Sequence, residues 1–350
     1  MQQFLMATLD TSFYTTDSNL RKFVGLKVLQ RSILKSTGKV CHMAHCLCDT
    51  YLDRLKCPYS MSIQNKHQEH FEDLILTGDL SVLDFFNNEY EVSLKIDGSP
   101  AIVWGTNPAT GNFFVGTKSV FNKVKLKINE SHEDIDANHS GNVAQILHCC
   151  LDSLPRTENI YQGDFLGFGG LNVYTPNTIT YQFPEVVTQS IIIAPHTKWS
   201  TDGELRDAYV SGSAPFFNDT QHVKFVQPCV DFVRVNPLRV DVDDVVFLSV
   251  KDAAAAKVKI NALLKQEKEL NWGNLTSILG CKNLSHLYLM MIEIKEHLID
   301  AMIVSDAPKS YLNGEQIVGE GFVLKNHSTI MKLVQREKFS VANFNNVKSW

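Results

Sequence analysis

The sequence predicts an α+β protein, and three observations carry that prediction. Short segments rich in β-branched and aromatic residues recur between about residues 91 and 250. The turn signal Asn107-Pro108-Ala109-Thr110-Gly111 makes the first of them an antiparallel hairpin. Between residues 252 and 305 the apolar period changes to 3.6. At 350 residues and 44% hydrophobic composition, the chain has enough apolar material for a full core. A net charge of −5 excludes a uniformly basic coat for nucleic acid, while a local basic groove survives such averaging.

Residues 1–65 read as a basic N-terminal appendage. Within residues 1–60, Lys and Arg occur eight times, Asp four times and Glu never, giving about +4 against about −9 for the remainder. Cys41, His42, His45, Cys46, Cys48 and Cys57 are zinc-competent but lack the usual pair-loop-pair spacing; they read either as a zinc site or as free thiols and imidazoles. The eight cysteines are irregularly placed, which favours reduced thiols over a disulfide framework.

Residues 66–350 read as one domain. Phe71, Leu74, Ile75, Leu80, Val82, Leu83 and Phe86 space as short helices broken near Thr77-Gly78, with Asp73 and Asp79 as cap or surface groups. Strands at 91–96, 101–105 and 112–117 surround Lys95 with antiparallel structure. A helix is expected at 142–154, then a strand at 160–165 leading into a turn through Gly167, Gly169 and Gly170. Further strands are expected at 187–194, 223–227, 230–235 and 245–250. Residues 252–305 read as a helical insertion, with helices 253–268 and 284–304 parted by Asn271-Trp272-Gly273-Asn274. Strands at 321–325 and 329–335 follow. No run approaches the roughly 18 apolar residues of a membrane span and no secretory signal is evident, so a soluble, cytoplasmic protein without membrane partners is expected.

Four elements carry chemistry. A covalent transfer to phosphorus needs an amine fixed at the end of a rigid strand, with cations or a metal lowering its proton affinity; Lys95, in Lys95-Ile96-Asp97-Gly98, is so placed. Gly98 would let the backbone bend close to a nucleotide, and Asp97 would orient the lysine or a metal hydrate. Taken alone, the run also fits a plain strand-to-turn junction. The second element, Tyr161 to Phe165, closes on Gly163-Asp164, where the carboxylate could equally cap a turn. In the third, Glu320-Gly321-Phe322-Val323-Leu324-Lys325, strand alternation sends Glu320 and Phe322 to one face and Gly321, Val323 and Lys325 to the other. The fourth is Met331-Lys332-Leu333-Val334.

In this order the four elements resemble the motifs of the covalent nucleotidyltransferase superfamily, the ATP-dependent RNA and DNA ligases and mRNA capping enzymes, most closely in the compact form seen in bacteriophage ligase-like proteins. The resemblance covers about residues 90 to 335 and implies a ligase-type nucleotidyltransferase domain with antiparallel sheets around the nucleotide pocket. It implies catalytic roles for Lys95, the covalent nucleophile, and Lys332, which contacts the α-phosphate. It further implies nucleotide binding by Asp97, Gly98, Asp164, Glu320 and Lys325, and metal binding by Glu320 and Asp97. ATP and Mg²⁺ are the implied cofactors. Three positions depart from the pattern: Pro100 stands where many ligases have Arg or Asn, Asp164 replaces a glutamate, and Val334 replaces a second lysine, so phosphate neutralisation falls to Lys325, Lys332 or another base. Lys118, after the hairpin, stands where the family often has a basic residue and reads either as a phosphate contact or as a solvated turn lysine. Phe165, Phe168, Tyr181 and Phe183 include candidates for stacking on the base.

The implied activity is a polynucleotide ligase-like adenylyltransferase: a lysyl-AMP forms at Lys95 and AMP passes to a 5′-phosphate end, RNA ends being favoured over DNA. Only 18 residues follow Lys332, so no C-terminal oligonucleotide-binding barrel is expected. The cytoplasm of a host is the expected location if the source is viral. The alternatives are a GTP-using capping guanylyltransferase and an inactive nucleotide-binding or structural protein of the same fold.

Overall fold

The computed structural model describes residues 28–29, 69–87, 89–231, 234–235, 242, 244–326 and 330–339. The expectations for residues 1–65, including the cysteine and histidine group, lie outside these, apart from Val28–Leu29, which pairs antiparallel with Arg234–Val235.

The architecture is α+β. Ten strands build its two central sheets: β1 (Glu69–His70), β2 (Glu91–Leu94), β3 (Ala101–Thr106), β4 (Phe113–Gly116), β5 (Ile160–Phe168), β6 (Ile191–Ser200), β7 (Tyr209–Ser213), β8 (Val223–Phe225), β9 (Gly321–Lys325) and β10 (Ile330–Val334). The larger sheet runs β7-β6-β5-β3-β4, with β8 added to β6 in parallel. The smaller runs β1-β10-β9-β2, antiparallel except where β1 meets β10. A third sheet joins Val173–Tyr174, Thr180–Gln182, Lys309–Leu312 and Glu315–Ile317. Among the described residues, five α-helices of seven or more residues accompany them, besides the single turn Ser81–Asp84: α1 (His132–Asn138), α2 (Gly141–Ser153), α3 (Val250–Lys265), α4 (Trp272–Leu279) and α5 (Lys282–Asp300).

Burial on both faces explains the near-continuous apolar runs of β3 to β5. One face of the larger sheet, with Ile102, Trp104, Val115 and Ile193, packs on Ile146, Leu147 and Leu151 of α2. The opposite face is divided. At one end Val103, Phe114 and Trp199 pack under Phe121 and Leu205. At the other, Leu166, Ile192 and Ala194 join the main core, to which the smaller sheet contributes Leu94, Phe322, Leu324, Met331 and Leu333. Phe322 alone, fully buried, is worth about 2–3 kcal/mol of transfer free energy.

Several expectations are corrected. Residues 245–249 form no strand; Val250 begins α3, with Ser249 Oγ accepting from the Asp252 N–H at 3.1 Å. Asn271-Trp272-Gly273-Asn274 is more than a break: Asn271 and Asn274 form a reciprocal capping box that starts α4 as a separate helix. The last expected helix stops at Asp300, and Ile303–Ser305 is a strand pairing with Cys229–Asp231. The helices of residues 252–305 pack into the main core, where Ala256, Ile260, Leu284, Tyr288 and Met291 join Phe71, Ile75 and Leu333. Gly167 lies within β5, opposite Ile192, instead of in a turn. The helical break at Gly78 is present, in the left-handed conformation that glycine favours.

Asp79 Oδ1 accepts from the Ser81 N–H, as a cap should, but Asp73 is neither cap nor surface group. It is buried with Glu72 against Arg336 and Lys295. Among the described residues, no helix is long and apolar enough to cross a membrane.

Candidate functional site

The antiparallel register of the smaller sheet decides what faces the space between the two sheets. Leu94, Phe322 and Leu333 stand abreast across β2, β9 and β10 and point into the core. The next residues therefore point the other way. Lys95 follows Leu94, and its N–H donates to the Gly321 carbonyl at 2.8 Å, so it stands opposite Gly321 and Val334. Ser93, Val323 and Lys332 form the next rung on that face, and Glu91 and Lys325 the one beyond. Glu320 lies in the bend entering β9.

After Lys95 the chain crosses to the larger sheet. The Asp97 N–H donates to Tyr181 Oη at 2.7 Å, Ser99 N–H donates to the Phe165 carbonyl at 2.9 Å, and Phe165 N–H donates to the Pro100 carbonyl at 3.0 Å. Ala101 then pairs with Asp164, which brings that carboxylate beside the crossing. Gly98 makes the approach possible. A Cβ there would lie 2.7 Å from the Phe165 carbonyl oxygen and 2.9 Å from Asp164 Cβ. The glycine thus permits this strand-to-strand contact.

The electrostatics centre on an ion pair between Lys95 Nζ and Glu320 Oε2, joining residues 225 apart in sequence. Burial disfavours the Lys95 ammonium, but Glu320, with Asp97 and Asp164 behind it, outweighs that and holds the amine above its ordinary value. Asp97 is raised to about 6, by burial first and then by the charge of Glu320, against the pull of Lys95 and a 2.8 Å hydrogen bond from Asn177 Nδ2. Lys332 is the lysine pushed below its ordinary value, by burial and then by Lys95. Asp164 Oδ1 has His196 Nε2 3.8 Å away.

The sequence profile of DUF6267, a family of unknown function, matches residues 65–272 and 245–348, well over half of the chain. The chain belongs to DUF6267. No curated protein and no solved structure matches it.

In this DUF6267 chain, Lys95, Asp97, Asp164, Glu320 and Lys332 are electrostatically coupled between the two sheets. Lys325 shares their sheet face two rungs away, where a Cβ on Gly212 of β7 would lie 3.8 Å from its Nζ. Lys118 is exposed, and no described hydrogen bond or ion pair ties it to these residues. The stacking candidates are committed elsewhere. Phe165 and Phe168 pack edge-on at 5.1 Å toward the α2 side, Phe183 packs against Tyr174, and Tyr181 is fully buried with its hydroxyl on the Asp97 N–H.

Sequence reasoning missed Asn177, His196, Arg336 and the acid pair Glu72-Asp73. Two acids inside the apolar run Phe71 to Ile75 were a visible signal of buried charge; nothing local identified their partner, 263 residues away. Among the described residues, no three His, Cys, Asp or Glu side chains form a group that could hold a metal unaided.

Proposed function

We propose that this DUF6267 chain is a covalent nucleotidyltransferase of the polynucleotide-ligase type, which captures AMP from ATP on Lys95 and transfers it to a 5′-phosphate end, RNA being the leading substrate class. The observation that carries the reading is the Lys95–Glu320 ion pair, with Asp97, Asp164 and Lys332 around it: five residues from four separated motifs meeting on one strand end. A solvated turn lysine would not gather three carboxylates and a second, partly desolvated lysine.

In the proposed first step Nζ of Lys95 attacks the α-phosphorus, an Nζ–P bond forms, the P–O bond to pyrophosphate breaks, and the phosphoamide results. The ammonium must first lose a proton that Glu320 now helps to hold. Asp97 and Glu320 would supply the hard oxygen donors Mg²⁺ takes; burial first, and then the charge of Glu320, holds Asp97 up at about 6, and a bound cation would favour its ionised form. Two carboxylates together with substrate phosphates and water are the usual set for Mg²⁺. Bound there, Mg²⁺ would neutralise phosphate charge and weaken the hold of Glu320 on the Lys95 proton. Lys332 would face the charge that develops on the transferring phosphorus, and its partial desolvation strengthens that interaction.

The test is incubation with α-labelled ATP or GTP and Mg²⁺. A labelled protein band with ATP, lost in Lys95→Ala, is expected. Labelling by GTP alone would make the activity that of a guanylyltransferase, and no labelling by either nucleotide would refute catalysis. Transfer of label to a 5′-phosphorylated oligonucleotide checks the second step.

A further inference from the structure

Away from the Lys95 site, α1 and α2 carry the same short pattern, a histidine one turn before an aspartate: His132 and Asp136 on α1, His148 and Asp152 on α2. The two pairs are braced crosswise. His132 Nε2 donates to Asp152 Oδ1 and His148 Nε2 donates to Asp136 Oδ1, each at 3.0 Å. Both donors being spent on carboxylates, the two Nδ1 atoms are left facing each other 2.7 Å apart, with the rings nearly parallel and 4.9 Å between centroids.

At that distance the two Nδ1 atoms are within hydrogen-bond reach of each other and converge on one point where a shared cation could sit. Carboxylate–imidazole–metal is the arrangement in which an outer carboxylate fixes the ring orientation and raises its basicity, and here it occurs twice at one point.

We propose that His132 Nδ1 and His148 Nδ1 form a two-histidine site for a borderline transition-metal dication such as Zn²⁺, braced by Asp152 and Asp136, with water completing the coordination. Zn–N bonds of about 2.0–2.1 Å at a tetrahedral angle put the two nitrogens about 3.3 Å apart, so loading widens their separation by about 0.6 Å and turns both rings off their present head-on line. Binding requires both Nδ1 atoms to be unprotonated, so affinity falls at low pH. His132 is 48% exposed and His148 29%, so the ion has access. The bound ion staples α1 to α2, and through α2 to the larger sheet. Imidazole donors select Zn²⁺, Ni²⁺ or Cu²⁺ over Mg²⁺, so this site is independent of any at Asp97 and Glu320.

The experiment is calorimetric titration of the full chain with Zn²⁺ in excess Mg²⁺, for wild type, His132→Ala, His148→Ala, Asp136→Asn and Asp152→Asn. Comparison with wild type subtracts zinc held by cysteines elsewhere. Each histidine variant is expected to bind one equivalent fewer. Each asparagine variant should keep the stoichiometry and weaken that one site by about 10- to 100-fold. Unchanged stoichiometry in the histidine variants overturns the site, and unchanged affinity in both asparagine variants overturns the bracing. All four side chains are at least partly exposed, and circular dichroism confirms folding; should His132→Ala or His148→Ala unfold, the corresponding Gln variant replaces it.

Discussion

Replacing Arg336 by Met should be among the most damaging single changes in the molecule. Its guanidinium, 5% exposed, donates from Nη1 to Glu72 Oε1 at 3.2 Å, Asp73 Oδ1 at 3.0 Å and Tyr288 Oη at 3.0 Å, and from Nη2 to Asn261 Oδ1 at 2.6 Å. Glu72 keeps a second cation, Lys295 Nζ at 2.9 Å. Asp73 does not, and is left with the Tyr288 hydroxyl alone. Burial already holds Asp73 above its ordinary value, and Arg336 is the main opposing influence. Stranding a buried charge in this way costs about 3–5 kcal/mol. With roughly 280 residues unfolding together at about 2.1 cal/mol/K each, that corresponds to a fall in Tm of about 5–9 °C. Scanning calorimetry at pH 7.5 measures it.

The companion variant Arg336→Met with Asp73→Asn removes the stranded charge and should recover at least half of the loss. A single-variant shift below about 2 °C, or losses in the double variant that simply add, would refute the buried-charge reasoning.

Two further predictions concern the crossing from Lys95 to the larger sheet. Asp97 sits at about 6 against an ordinary 3.8, so between those values the folded state binds its proton more tightly than the unfolded chain, and stability falls as pH rises from about 4 to 6. Asp97→Asn should flatten that fall and leave the protein about 1–3 kcal/mol more stable at pH 7; parallel Tm-against-pH curves for the two proteins would contradict this. Gly98→Ala should cost about 1–3 kcal/mol through overlap with the Phe165 carbonyl and Asp164, while Gly203→Ala, with nothing within 4 Å, should be nearly silent in the same urea titration.

Much of the local structure was legible because its causes are local. The hairpin at residues 107–111 follows from turn chemistry, and Gly111 takes the positive φ of +76° that the turn requires. Helix α2 follows from the spacing of Ile146, Leu147 and Leu151, and β9 from the alternation in Gly321 to Lys325. Failures came where tertiary packing outweighed composition. Val245, Phe247 and Leu248 have strand-like side chains but pack along the main core ahead of α3, the Leu248 N–H donating to the Leu76 carbonyl at 2.8 Å, while Val246 is exposed. The break at Asn271 could be seen, but not that it opens a third helix, because a four-residue polar run has the same composition as a loop and as a capping box.

What the sequence by itself determined is the set of local conformations and the identity of the charged side chains at strand ends: Lys95 after an apolar strand, Asp164 after Gly163, and Lys332 within an apolar one. What only the tertiary structure decided is which of these charges face one another. Register set Lys95 opposite Gly321, neighbouring carboxylates outweighed burial in holding its amine above the ordinary value, and helix packing joined His132 to His148 and Arg336 to Glu72 and Asp73. The physical reason is range. Backbone preferences act over a few residues, whereas electrostatic pairing depends on distances of a few ångströms that folding creates between segments up to 264 residues apart.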